Sequence, residues 1–139
     1  MADVKVEIVS PERLLVSETA TSVTVPGAAG YFTVLGEHAP LMTTLKPGFI
    51  TAVVGGTPRV FFVRGGFADV APEGLTILAE QALPLAEFDP KAIDADIEAA
   101  EVRLAAASDI EERSAATNAL NSWRNLKAEA QQITGGAAH

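Results

Sequence analysis

The sequence predicts an all-β sandwich over residues 1–86, followed by an antiparallel two-helix hairpin over residues 87–139. Three observations carry this reading. Nine of the 11 glycines and seven of the eight prolines lie in residues 1–86, and no glycine occurs between Leu75 and Thr134. Gly and Pro punctuate strands and turns, whereas Ala, Glu and Arg favour helices. Turn signals recur through the first part about every 8–12 residues, the rhythm of a sandwich or barrel. Beyond Pro90 the apolar residues instead recur at intervals of three and four, which line one face of a helix.

The elements follow in order. Val4, Val6 and Ile8 alternate with Lys5 and Glu7 until Ser10-Pro11 stops the run. Strands are expected at Leu14–Val16 and Ser22–Val25, the latter closed by Pro26-Gly27, and at Tyr31–Leu35, closed by Gly36. Phe49–Val54 and Pro58–Val63 flank Gly55-Gly56, a strong hairpin signal because the tight turn needs positive φ. Gly65-Gly66 reads as another turn, before strands at Phe67–Ala71 and Leu75–Ala79 separated by Pro72-Glu73-Gly74. Phe61-Phe62-Val63 and Ile77-Leu78-Ala79 are apolar on both faces. Burial on both sides, or an outer face covered by a partner, explains such runs.

Asp89-Pro90 places a capping residue before the first helical position, so a helix should begin there. Its stripe is Ile93, Ile97, Ala100 and Leu104. Ser108-Asp109-Ile110-Glu111 fits a capping box with Ser108 at the cap. The second stripe is Ala116, Ala119, Leu120, Trp123, Leu126, Ala130 and Ile133, with Gly135-Gly136 as the stop. The short connection near Ala107-Ser108 makes the helices antiparallel. Both stripes are alanine-rich, so the hairpin should be marginal alone and lean on the β domain or a partner.

The chain has 139 residues, with 10 Lys plus Arg against 18 Asp plus Glu, a formal net charge of −8. Residues 1–86 carry eight acids and five bases, and residues 87–139 carry ten acids and five bases. This balance disfavours non-specific nucleic-acid binding, and no apolar run approaches the 18 or so residues of a membrane span. No basic, apolar leader precedes the first strand, so no signal or transit peptide is expected. Without cysteine there is no disulfide framework or thiolate chemistry, and with two histidines a structural zinc site is not expected.

No catalytic constellation emerges. His38 stands beside Glu37 with Thr43 and Thr44 nearby, but no nucleophile elbow exists, and a surface or interface histidine is the simpler reading. His139 is terminal. Gly27-Ala28-Ala29-Gly30 is too short and lacks the lysine of a phosphate loop. Asp94, Asp96 and Glu98 alternate around a helix without calcium-loop spacing and read as a solvated face. Trp123 lies on the apolar stripe. The residues alone therefore indicate a non-enzymatic two-part module belonging to an assembly.

Several segments add a resemblance. Ser10-Pro11-Glu12-Arg13, Val25-Pro26-Gly27, Gly30-Tyr31-Phe32-Thr33-Val34-Leu35, His38-Ala39-Pro40-Leu41, Leu45-Lys46-Pro47-Gly48, Val63-Arg64-Gly65-Gly66-Phe67-Ala68-Asp69-Val70 and Leu75-Thr76-Ile77-Leu78-Ala79-Glu80 occur in this order and spacing. The series resembles the epsilon subunit of bacterial and chloroplast F-type ATP synthases, equivalent to the mitochondrial delta subunit. It covers the β part almost continuously, whereas the helical part matches in length and layout. The resemblance implies a non-catalytic central-stalk subunit without a cofactor, between the gamma subunit and the ring of membrane c subunits, transmitting rotation and restraining ATP hydrolysis. It implies peripheral attachment, through protein contacts and not by insertion, to the cytoplasmic side of a bacterial inner membrane. Tyr31, Glu37, His38 and Leu41 fall where the ring would be met. Some relatives carry an acid at Tyr31, so packing and one hydrogen bond replace a salt link there. Phe61, Phe67, Arg113, Trp123 and Arg124 fall where gamma, or the catalytic alpha and beta subunits, would be met.

Some relatives bind ATP in the hairpin through an Ile-Asp-x-x-Arg-Ala segment. Here Ile93-Asp94-Ala95-Asp96-Ile97-Glu98 puts Ile97 where the arginine would stand, leaving Asp94 and Arg103 as the weak candidates. A triphosphate beside Asp94, Asp96 and Glu98 would meet repulsion, so ATP binding is expected to be weak or absent and the hairpin a weak brake. Two alternatives are an ATP-sensing regulatory module and an unrelated ligand-binding sandwich with a helical oligomerisation tail. The latter would call for an aromatic-lined pocket, and the chain has only eight aromatics.

Overall fold

The computed structural model describes the backbone of residues 3–137 and the side chains of residues 3–133; His139 lies outside them. The chain divides into two compact units, Met1–Glu87 and Phe88–His139.

The first unit contains eight strands: β1 Val4–Val9, β2 Leu14–Ala20, β3 Ser22–Gly27, β4 Gly30–Leu35, β5 Leu41–Thr44, β6 Gly48–Val54, β7 Thr57–Ala71 and β8 Gly74–Pro84. They hydrogen-bond in the order β2-β1-β8-β7-β6-β3-β4, with β5 added on β7. All pairings are antiparallel except β1 with β8. Alternation places Val4, Val6 and Ile8 of β1 inside, where they meet Val23 and Val25 of β3, Ile50 and Ala52 of β6, and Leu75 and Ile77 of β8 in one apolar cluster. This is the sandwich that the turn spacing predicts.

Gly55 and Gly56 form the predicted two-residue turn between Val54 and Thr57, with φ of 58° and 78°, the mirror-image turn whose twist suits a hairpin. Gly65-Gly66 behaves differently from expectation. It does not separate two strands but lies within the 15-residue β7. Before it, β7 pairs with β6, from Thr57 to Val63; after it, with β5, from Phe67 to Val70. Pairing with β8 keeps one register throughout, from Phe61 opposite Pro84 to Ala71 opposite Gly74. The two glycines, at φ of 71° and 110°, therefore bend the strand from one layer to the other without breaking its ladder to β8. β5 was not anticipated either. It has four residues between Pro40 and Pro47, and its pattern is too short to stand out from a loop.

In the second unit, a 3₁₀ turn Pro90–Ile93 leads into α1, Asp94–Ala106, and α2 spans Ile110–Ala137. Asp89 caps the first turn as expected, accepting from the Lys91 N–H at 2.9 Å. At α2 the box is shifted by one residue. Asp109 is the cap, accepting from the Glu112 N–H at 2.8 Å, and Glu112 reaches back to the Ser108 N–H at 3.1 Å. Helix α2 also runs on through Gly135-Gly136, since glycine costs a helix only about 1 kcal/mol each. Ile93, Ala100, Ala116, Leu120, Leu126 and Ala130 are buried, as the two stripes require. Ion pairs Glu101–Arg124 (3.4 Å) and Asp94–Lys127 cross between the antiparallel helices.

A Cβ at Gly66 would lie 2.0 Å from the Leu78 carbonyl oxygen, whereas one at Gly55 meets nothing within 4 Å. Gly66→Ala should therefore destabilise the chain by at least about 2 kcal/mol. Gly55→Asn should cost less than about 1 kcal/mol, because Asn tolerates the left-handed region. Urea unfolding midpoints of the two variants check the contrast.

Candidate functional site

The candidate residues fall in two surface regions of the sandwich, at a few other sandwich positions, and at scattered positions on the hairpin. The first surface lies where β4 turns into β5. Leu35, Glu37, His38 and Leu41 share a cleft there with Val70 of β7. Leu35 and Leu41 are about half exposed, at 54% and 48%, and the neighbouring Met42 at 68%. Apart from Thr33, Glu37 and the ring of His38, the residues lining the cleft are apolar. His38 Nδ1 is 2.7 Å from the Leu35 carbonyl oxygen and Nε2 2.5 Å from that of Ala71. The Ala71 carbonyl, then that of Leu35, holds the proton on the ring and raises its pKa above the usual 6.5, against a smaller effect of partial burial.

Tyr31 does not join this group. Its hydroxyl accepts from the Phe49 N–H at 3.0 Å and crowds Gly48, where a Cβ would lie 2.7 Å from the oxygen. It therefore fastens the start of β4 to the start of β6, and four residues of strand, about 13 Å, separate it from Leu35. The hydrogen bond between the Phe49 N–H and Tyr31 lies within the chain and is not the one expected toward the ring.

The second surface crosses the outer face of β7, β8, β1 and β2. Phe67 faces Leu78, Leu78 faces Val9, and Val9 faces Leu14 across successive strands. Phe67 and Leu78 are each 52% exposed and Leu14 is 56% exposed. A shallow groove beside them is lined by Val9, Pro11, Phe67, Leu78 and the stem of Glu80. Of this row only Phe67 stands among the residues expected at an interface. The two-faced apolar run Ile77-Leu78-Ala79 was the signal for Leu78: Ile77 and Ala79 are inside, and Leu78 is left outside. Phe61, also expected at an interface, belongs to the core at 3% exposure because its register with Ile50 turns it inward.

On the hairpin, Asp94 is paired with Lys127 and Arg124 with Glu101. Arg103 is exposed in the last turn of α1. Nine residues at about 100° each place it on the side of α1 opposite Asp94, so the two candidates do not converge. Arg113 is exposed, and Trp123 is half-buried on the inner stripe. Among the described residues, no group of three or more His, Asp or Glu side chains is placed to hold a metal ion.

Residues 3–85 match the family model described as ATP synthase, Delta/Epsilon chain, beta-sandwich domain. The chain is 43% identical over 122 residues to the ATP synthase epsilon chain of Parvibaculum lavamentivorans, covering 87% of this chain and 92% of that one. It is 46% identical over 125 residues to the epsilon chain of Mesorhizobium japonicum, covering 88% and 92%. Among solved structures it superposes on a chain of the Euglena gracilis mitochondrial ATP synthase, OSCP/F1/c-ring, with a TM-score of 0.71, 26% identity and coverage of 93% and 82%. A chain of the Tetrahymena thermophila central stalk and c-ring shares the fold, with a TM-score of 0.59, 17% identity and coverage of 94% and 98%. The chain belongs to the ATP synthase delta/epsilon chain family.

Proposed function

We propose that this chain is the non-catalytic central-stalk subunit of a proton-translocating F-type ATP synthase, peripheral to the cytoplasmic face of a bacterial cell membrane. It couples rotation of the c ring to the gamma subunit and, through gamma, to the catalytic sites. The relatives described above at 43% and 46% identity are bacterial epsilon chains, and no helix among the described residues is long and apolar enough to cross a membrane.

The observation that carries the reading is the presence of two separate exposed apolar surfaces on one rigid sandwich. A coupling part needs two attachment points on a body that does not deform between them. The row Phe67, Leu78, Val9 and Leu14 is the face for gamma: a continuous row of large apolar side chains across four strands matches a permanent interface better than it matches solvent. The cleft of Leu35, Glu37, His38 and Leu41 is the foot on the c ring, with Tyr31 bracing β4 behind it.

The hairpin is a weak brake on ATP hydrolysis and not a nucleotide sensor. Lys127 and Arg124 are neutralised by Asp94 and Glu101, and the unit carries nine acids against five bases. A triphosphate would have to displace these partners in an already negative field. Arg113 and Trp123 are the hairpin residues assigned to contacts with gamma or the catalytic subunits.

Two measurements test this reading. Burying a leucine side chain is worth about 1.5–3 kcal/mol, so Leu78→Asp should weaken binding to isolated gamma roughly ten- to a hundredfold. Its own unfolding free energy should change by less than about 1 kcal/mol, because Leu78 is exposed. Unchanged affinity would remove the row from the interface. In a reconstituted synthase, a chain ending at Glu87 should raise ATPase activity by less than about tenfold, or ~1.4 kcal/mol; a larger rise would contradict a weak brake.

A further inference from the structure

His38 stands between two backbone carbonyls, and the geometry constrains its protonation. Nδ1 faces Leu35 O at 2.7 Å and Nε2 faces Ala71 O at 2.5 Å. A carbonyl oxygen only accepts. A neutral imidazole has one N–H, so its other nitrogen would turn a lone pair toward a lone pair at hydrogen-bond distance. The imidazolium has two N–H groups and donates to both. The ring thereby joins the last residue of β4 to the last residue of β7, 33 positions beyond His38 in sequence.

The groups that hold the proton on His38 are backbone carbonyls, with no charged side chain among them. On its own loop His38 is preceded by Glu37, and the walls of its cleft, from β4, β5 and β7, add no other charged side chain. Beyond Ala71, the adjoining cleft carries Asp69 of β7, Glu73 of the β7–β8 turn, and Glu7 and Lys5 of β1. Together the two clefts are lined by four acids and one base.

We propose that His38 is a proton-dependent clasp. Protonated, it ties the loop of residues 36–40 to the end of β7 and holds the cleft of Leu35 and Leu41 in shape; deprotonated, it lets go of one carbonyl and loosens that cleft. The folded-state pKa is raised. The contribution of the clasp is therefore complete below about 6.5, the ordinary histidine value, and is lost as pH rises through the higher folded value. Its consequence for the c ring, a contact that slackens as the surrounding solution turns alkaline, rests on the foot reading given above. The clasp itself does not.

The test is a ¹⁵N NMR titration of the full chain from about pH 5.5 to 9. The His38 ring should carry protons on both nitrogens at the acid end and titrate above about 6.5. The amides of Glu37, Ala39 and Leu41 should shift with the same midpoint. In His38→Phe that shared midpoint should vanish from the three amides. Titration at or below 6.5, or loop amides indifferent to it, overturns the clasp. The wild-type titration decides this even if the variant does not fold. In the assembled synthase, cross-linking from Leu41→Cys to the c ring should fall several-fold across the same interval. Cross-linking that stays constant overturns the coupling to pH. No cross-link at any pH, with the titration intact, overturns the foot reading and leaves the clasp standing.

Discussion

The bend at Gly65-Gly66 is the constraint on which the rest of the sandwich depends. One strand, β7, pairs first with β6 and then with β5 while staying in register with β8. That is possible only where two consecutive residues adopt positive φ and where nothing projects toward the Leu78 carbonyl oxygen. The bend brings both layers together around Val63, Ala68 and Ile77, all fully buried. It also sets the two exposed apolar surfaces. Phe67, the first residue after it, begins the outer apolar row, and Ala71, at the strand's end, supplies the carbonyl that receives His38. Both surfaces thus hang on the same strand.

The hairpin works by a different balance. Its buried positions include alanines at Ala100, Ala116 and Ala130, which let the helices approach closely but remove little apolar area from water. Its ion pairs are largely exposed, and exposed pairs contribute little stability. They engage Arg124 and Lys127, two of the five basic side chains of the unit.

Much of the architecture was legible because local chemistry and tertiary structure agree. Gly55-Gly56 makes the turn it signals, Asp89 caps the helix it precedes, and both helical stripes face inward. Misreadings arose where a local signal has two physical uses. Paired glycines serve a turn or a bend, and only the partner strands decide which. Ser108 and Asp109 can both cap a helix, and the side chain that reaches the Glu112 N–H is that of Asp109. The site was harder to read than the fold. Which member of an apolar run faces out is a matter of register, so Phe61 is turned into the core while Leu78 is left exposed. Tyr31 and His38 are close in sequence, yet an extended strand lies between them.

Hydroxyl-radical footprinting of the free chain and of the assembled synthase tests the two-surface account most directly. Strong protection is expected at Phe67, Leu78 and Leu14 whenever gamma is bound, and at Leu35 and Leu41 only when the c ring is also present. Unchanged reactivity at Phe67 and Leu78 in the assembly, with protection confined to the hairpin, would contradict it.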